Sequence, residues 1–350
     1  MVVATADPRA LLTTARGAFW YSLYGLNVRS DLRLPVPPIA APDGEGPDVI
    51  IRCVKRGAPP APNGVVTCWE PADACGPACS DPGPECQTHR PSTVVRRDGS
   101  EAWLWNRSIG TIHARPHDGI IDVYPRDVDD ERPLGLMLAC AVMLFVLQRL
   151  GRPSLHASAV ILDDVGGVAF LGRAGHGKST MAAGLLRRGA TLITDDALPL
   201  RRLDDGVYGG PSLPVMKVWP ETAARGLGVA EALPNLIANF DKRLFALDGR
   251  FTFAREPVRL RALYLLERYD PATTGRTECS IQRLSKSESL ALLTGATITR
   301  AFMLPGDDVE LLPLYARLAM QAPLRVLSYP SGFEHQDAVY ARLRADLADR

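Results

Sequence analysis

The sequence predicts an α/β protein in two parts, a β-rich N-terminal domain followed by an α/β domain organised around a phosphate-binding loop. Three observations predict it. Short β-branched runs broken by proline and glycine fill residues 18 to about 130, a glycine-rich stretch FLGRAGHGKST lies between an apolar strand and a helical pattern, and strand-like and helix-like segments alternate from there onward. At 350 residues the chain has room for two hydrophobic cores.

The first domain is expected over residues 1–132. Its strand-like segments are FWYSLYGLNVRS, DVIIRCV, STVVRRDGSEAWLWN, GTIHARP and GIIDVYP, and the Cys-, Pro- and Gly-rich stretch 56–90 reads as an exposed loop. Residues 133–150 follow as a connecting apolar helix. Pro133 suits its first turn, and LGLMLACAVMLFVL falls short of a bilayer-spanning length, so a buried helix is expected.

The second domain is expected over residues 151–350. HASAVILDDVGGVAFLG reads as a hairpin leading into the glycine loop, KSTMAAGLLRRG as a helix stopped by Gly189, and TLIT as a strand delivering Asp195 and Asp196. Further strands are expected at 260–268, 279–285 and 325–330, with helices over 287–293, 309–321 and 336–350.

Composition narrows the function. The formal charge is +1 and apolar residues make up 46%, so no global field points to nucleic acid or to an anionic membrane surface. The opening residues do not read as a signal peptide, and seven cysteines are an odd number, so a cytoplasmic protein is expected.

Gly172-Arg173-Ala174-Gly175-His176-Gly177-Lys178-Ser179, with Thr180 next, fits the pattern G-x-x-x-x-G-K-[ST]. Its glycines let successive backbone N–H groups approach an anion at a helix N-terminus. Lys178 would reach the β- and γ-phosphates and the Ser179 hydroxyl would ligate Mg²⁺, so ATP and Mg²⁺ are the expected cofactors. The bland alternative is a chance glycine-rich turn ahead of a helix.

Asp195 and Asp196 close the next strand, seventeen residues after Lys178. Two carboxylates there can divide the work, Asp196 handling metal and Asp195 accepting a proton from an attacking hydroxyl, or they can form a solvated turn. His156 opens the first strand of the hairpin and is either a site residue or a core histidine. Cys68, Cys75, Cys79 and Cys86, spaced C-x6-C-x3-C-x6-C with His89 beyond, offer four ligands for a structural Zn²⁺; free thiols or disulfides are the other readings.

LHASAV, GRAGHGKSTMAAGLLRRG and LITDD together resemble the catalytic core of the HPr kinase/phosphorylase family over residues 151 to about 200. The resemblance implies an ATP-dependent kinase acting on a serine hydroxyl of a protein, with Asp195 as general base and Asp196 and His156 shaping the site. PSLPVMKVWP, FDKRLF and YSLYGLNVRSDLRLP resemble a divergent branch associated with lasso-peptide biosynthesis, which implies a precursor peptide as acceptor and makes Lys217, Lys242 and Arg243 candidate phosphate or substrate contacts. Arg173-Ala174 stands where the family's loop carries Asp-Ser, and the family's metal-binding glutamate has no counterpart, so reverse phosphorylase activity is not implied. Self-association is, because true HPr kinases assemble as hexamers. A small hydroxylated metabolite as acceptor, or a nucleotide-binding regulatory module without transfer, are the alternatives.

Overall fold

The computed structural model describes residues 16–55, 57, 65–69 (backbone only), 92–106, 109–125, 132–229, 233, 235, 241–247 and 249–348. The chain divides into two compact units. One comprises the described residues up to Arg152 together with Thr299–Asp308, the other Pro153–Ile298 with the residues from Val309 onward. The apolar helix therefore belongs to the N-terminal unit, and so does a short segment from far down the chain.

The N-terminal unit holds one eight-stranded sheet. Its strands are β1 (Arg16–Leu23), β2 (Leu26–Leu32), β3 (Val49–Cys53), β4 (Val65–Trp69), β5 (Ser92–Arg96), β6 (Ala102–Asn106), β7 (Gly110–Arg115) and β8 (Ile120–Pro125), in the order β1-β2-β3-β8-β7-β6-β5-β4. β3 pairs in parallel with both β2 and β8, and the other pairs are antiparallel. Strict alternation makes β2 a half-buried strand: Leu26, Val28 and Leu32 point inward with Ser30, and the residues between them are partly exposed. Tyr24 and Gly25 both have positive φ, 56° and 71°, as a tight two-residue hairpin turn requires.

Helix α1, Arg132–Arg149, contains a π-helical segment at Leu138–Val142. Among the described residues it is the stretch whose length and composition would suit a membrane span, yet 61% of it is buried in the fold. Phe145 packs edge-on to Phe302, and Gln148 accepts a hydrogen bond from the Thr299 hydroxyl, so its surface is matched to protein on the side of residues 299–302.

The second unit is a mixed sheet with helices on both faces, as expected for an α/β domain. Its strands are β9 (Ser154–Leu155), β10 (Ala157–Leu162), β11 (Gly166–Leu171), β12 (Thr191–Thr194), β13 (Leu198–Leu203), β14 (Gly206–Gly209), β15 (Val215–Val218), β16 (Arg243–Ala246), β17 (Val258–Tyr269), β18 (Ser280–Arg283) and β19 (Leu324–Pro330). The centre runs β12-β10-β11-β17-β19-β18. β10 and β11 form the predicted hairpin, Ala157 opposite Leu171 through Leu162 opposite Gly166, while β11 runs parallel to β17 on its other side. β15 and β16 form a separate two-stranded ribbon.

Period-2 alternation sorts these strands between two cores. Val160, Leu162, Val168, Phe170 and Tyr264 join one core with Met181 and Leu185 of α2 (Lys178–Leu186) and Val339 and Leu343 of a C-terminal helix. Ala157, Ala159, Ala169, Leu171 and Leu263 join the other with Leu293, Tyr315 and Leu318. Burial on both faces is why VAFL and LYLL read as unbroken apolar runs. The remaining helices are α3 (Pro271–Thr274), α4 (Lys286–Gly295), α5 (Asp307–Gln321) and α6 (Gln336–Ala348). The expected helices at 287–293, 309–321 and 336–350 correspond to α4, α5 and α6.

Candidate active site

β11 ends at Leu171 and the loop begins at once. Gly172, Gly175 and Gly177 have φ of 147°, 82° and 86°, a region closed to most side chains. Gly177 is required for a second reason, because a Cβ there would lie 2.4 Å from the Tyr329 hydroxyl. That hydroxyl donates to the His176 carbonyl at 2.7 Å, and His176 Nδ1 donates to the Leu266 carbonyl at 2.9 Å. The loop is thus pinned to β19 and β17, the two strands running parallel to β11. Burial raises the Tyr329 pKa and keeps its hydroxyl a donor.

α2 begins at Lys178, so the N–H groups of its first turn have no intrahelical acceptor and face outward. Lys178 is buried, and its Nζ donates to the Gly172 carbonyl at 2.7 Å and to Arg173 at 3.3 Å. Burial lowers its pKa, against the opposing pull of the Asp196 and Asp195 charges.

The strand β12 delivers the carboxylates. Consecutive strand residues point to opposite faces, but Asp196 takes φ +90°, rare for a residue with a side chain, and both carboxylates converge on Lys217. Asp195 accepts from the Lys217 backbone N–H at 2.9 Å and from the Ser158 hydroxyl at 2.7 Å. Asp196 accepts from Lys217 Nζ at 2.8 Å, and His156 Nδ1 lies 3.2 Å from its carboxylate and 3.1 Å from its carbonyl oxygen.

The two acids are electrostatically opposite. Burial and then the neighbouring Asp196 charge push the Asp195 pKa up, and hydrogen bonds from Lys217, Ser158 and Ser179 only partly offset them. For Asp196 burial also pushes upward, but the Lys217 ammonium and His156 together prevail and hold its pKa far below the usual carboxylate range. Asp195 is 7% exposed, whereas the Asp196 side chain is 34% exposed and faces the cleft.

That cleft, about 490 Å³, runs from the loop past the acids. Ala174, Gly175, Gly177, Lys178, Ser179, Thr180, His156, Asp196, Lys217 and Lys242 of the sequence-predicted residues line it. Gly172, Arg173 and His176 support the loop from outside it, Asp195 lies beneath it against Ser179, and Arg243 is directed to Asn235 instead. Sequence reasoning missed Ser158, Thr222, Tyr329 and Trp219. Ser158 was within reach, since it stands two residues from His156 on the same strand face.

The donor set suits a nucleotide and Mg²⁺. A Ser hydroxyl beside two carboxylates supplies hard oxygens, and Mg²⁺ takes few protein ligands when phosphate and water complete its shell. Among the described residues no group of three or more His, Cys, Asp or Glu could hold a metal on its own. Cys75, Cys79, Cys86 and His89 lie outside the described residues, and Cys68 is described by its backbone alone, in β4.

A glycine loop on a hairpin-fed strand, with paired carboxylates at the next strand's end, is the architecture of a P-loop α/β domain. The chain is similar to HPr kinase/phosphorylase of Peptoclostridium acidaminophilum, 36% identical over 80 residues, which cover 23% of this chain and 25% of that protein. It is similar also to HPr kinase/phosphorylase of Neisseria meningitidis serogroup C, 26% identical over 178 residues, 46% of this chain and 55% of that protein. Among solved structures, the Hpr(Ser) kinase/phosphatase from Coxiella burnetii matches 56% of this chain and 97% of its own at 12% identity, with a TM-score of 0.28, too loose a superposition to align individual residues. No protein-family profile matches. The likeness to HPr kinase/phosphorylases thus covers part of the chain, which spans about half or less of the length of these curated relatives.

Proposed function

We propose that the protein is a cytoplasmic ATP- and Mg²⁺-dependent kinase that phosphorylates a serine hydroxyl of a peptide or protein, with a precursor peptide of the lasso type as the acceptor. The observation that carries this reading is the opposed environment of Asp195 and Asp196 beside the glycine loop, because two acids whose pKa values are driven apart are suited to different tasks.

Bound MgATP supplies the phosphoryl group and the cation that neutralises its charge. The loop's N–H groups and Lys178 hold the phosphates, and Lys178 exchanges its carbonyl partners for them. Ser179 and Asp196 would hold the metal. On this reading Asp195, with its raised pKa, is uncovered when Ser179 turns from it to the metal, and would take the proton as the serine oxygen bonds to the γ-phosphorus and the bond from that phosphorus to the bridging oxygen breaks, leaving ADP. Lys217 fixes both acids at once, through its backbone and its ammonium.

The test has two stages. Calorimetry with Mg²⁺ and ATP is expected to show uptake at one site, and incubation with serine-containing peptides to give a phosphorylated product by mass spectrometry. Absence of nucleotide uptake would end this reading.

A further inference from the structure

Trp219 is 46% exposed, unusual for a tryptophan, and it lies in the cleft. Its position follows from the ribbon. β15 places Lys217 on both acids, and Trp219 comes two residues later, where the chain leaves the strand. The register pairs Val218 with Arg243, so Trp219 comes opposite Lys242, whose ammonium lies 5.9 Å from the indole centroid. The pairing stiffens the ring without covering it.

On the kinase reading, Asp196 with Lys217 marks the part of the cleft where the γ-phosphate is attacked. Thr180 and Thr222, hydrogen-bonded at 3.0 Å, and Phe333 line the same cleft. Trp219, two residues from Lys217 and so on the same face of the ribbon, stands beside the acids that an acceptor hydroxyl must reach.

We infer that Trp219, backed by Lys242, is the docking platform for the acceptor polypeptide and takes an apolar or aromatic side chain next to the serine that is phosphorylated. The inference rests on the kinase reading and selects a polypeptide over a small hydroxylated metabolite, which has no flanking residue for the ring. Aromatic platforms of this kind supply large contact area with little entropy to lose.

The experiment uses the full chain, MgATP and a positional-scanning library of serine-centred peptides, with free serine as the small-acceptor arm. The wild type should favour apolar or aromatic neighbours. Trp219→Ala should lose that preference and raise the peptide KM by about 10-fold, with the nucleotide dissociation constant unmoved, and Trp219→Phe should retain most of it. An unchanged preference in Trp219→Ala, a parallel loss of nucleotide affinity, or equal turnover of free serine would each overturn the inference while leaving the kinase standing. Lack of nucleotide uptake by the wild type would remove both.

Discussion

Each unit of this protein buries a carboxylate within a charged network, and the two networks are built on opposite principles. In the N-terminal sheet, Asp122 receives Arg52 at 2.6 and 2.8 Å and Arg115 at 2.6 Å. Register aligns Arg52, Asp122, His113 and Trp103 in one cross-strand row. His113 bonds to Glu101 at 2.7 Å and stacks on Trp103 with centroids 4.5 Å apart. Burial pushes the Asp122 pKa up, but two guanidiniums overcome it and the net direction is down. At Asp195 burial is joined by the charge of another carboxylate, Asp196, and the net direction is up. A buried acid with surplus counter-charge holds a sheet together, whereas one kept short of it is, on the proposed reading, held ready to take a proton.

The largest difference should appear on exchanging each acid for its amide. Asp195→Asn is expected to lower phosphoryl transfer on the order of 10³-fold with nucleotide binding nearly intact. Asp122→Asn should leave transfer at the wild-type rate but cost about 3 kcal/mol of stability, because two guanidiniums lose a buried partner. Turnover and urea midpoints of the two variants measure this. Comparable turnover in Asp195→Asn would remove the base, and an unaltered midpoint in Asp122→Asn would show that the row carries no stability.

How much of this was legible depended on whether the signal was local. The glycine loop, the 157–171 hairpin and the strand ending in the acid pair are written in short stretches whose periodicity and turn residues agree, and they fold as read. The ribbon of β15 and β16 was not legible, since it pairs segments 25 residues or more apart and its strands are four residues long. Its role is to lay Lys217 across both acids, so the residue stood out in sequence only through a family likeness. Tyr329 was hidden for the same reason, since its bond to His176 spans 153 residues. Nor does composition reveal that α1 packs with residues 299–302.

The smallest effect, and the sharpest on sign, is in pH. An acid whose folded pKa is depressed, as for Asp122, adds stability that is present above its unfolded value of about 3.9 and is lost as pH falls through the folded value. An acid whose folded pKa is raised, as for Asp195, adds stability only below about 3.9 and loses it as pH rises through the folded value, so near neutrality its charge is a burden. Asp122→Asn should therefore be less stable than wild type near neutrality and Asp195→Asn more stable, and both gaps should narrow on acidification. Transfer by the wild type should fall on the acidic side with a midpoint above about 3.9, where Asp195 takes up its proton. Urea midpoints at a series of pH values decide it: gaps of the same sign would mean that Asp195 is as well compensated as Asp122, and that the fold keeps no acid in reserve beside the loop.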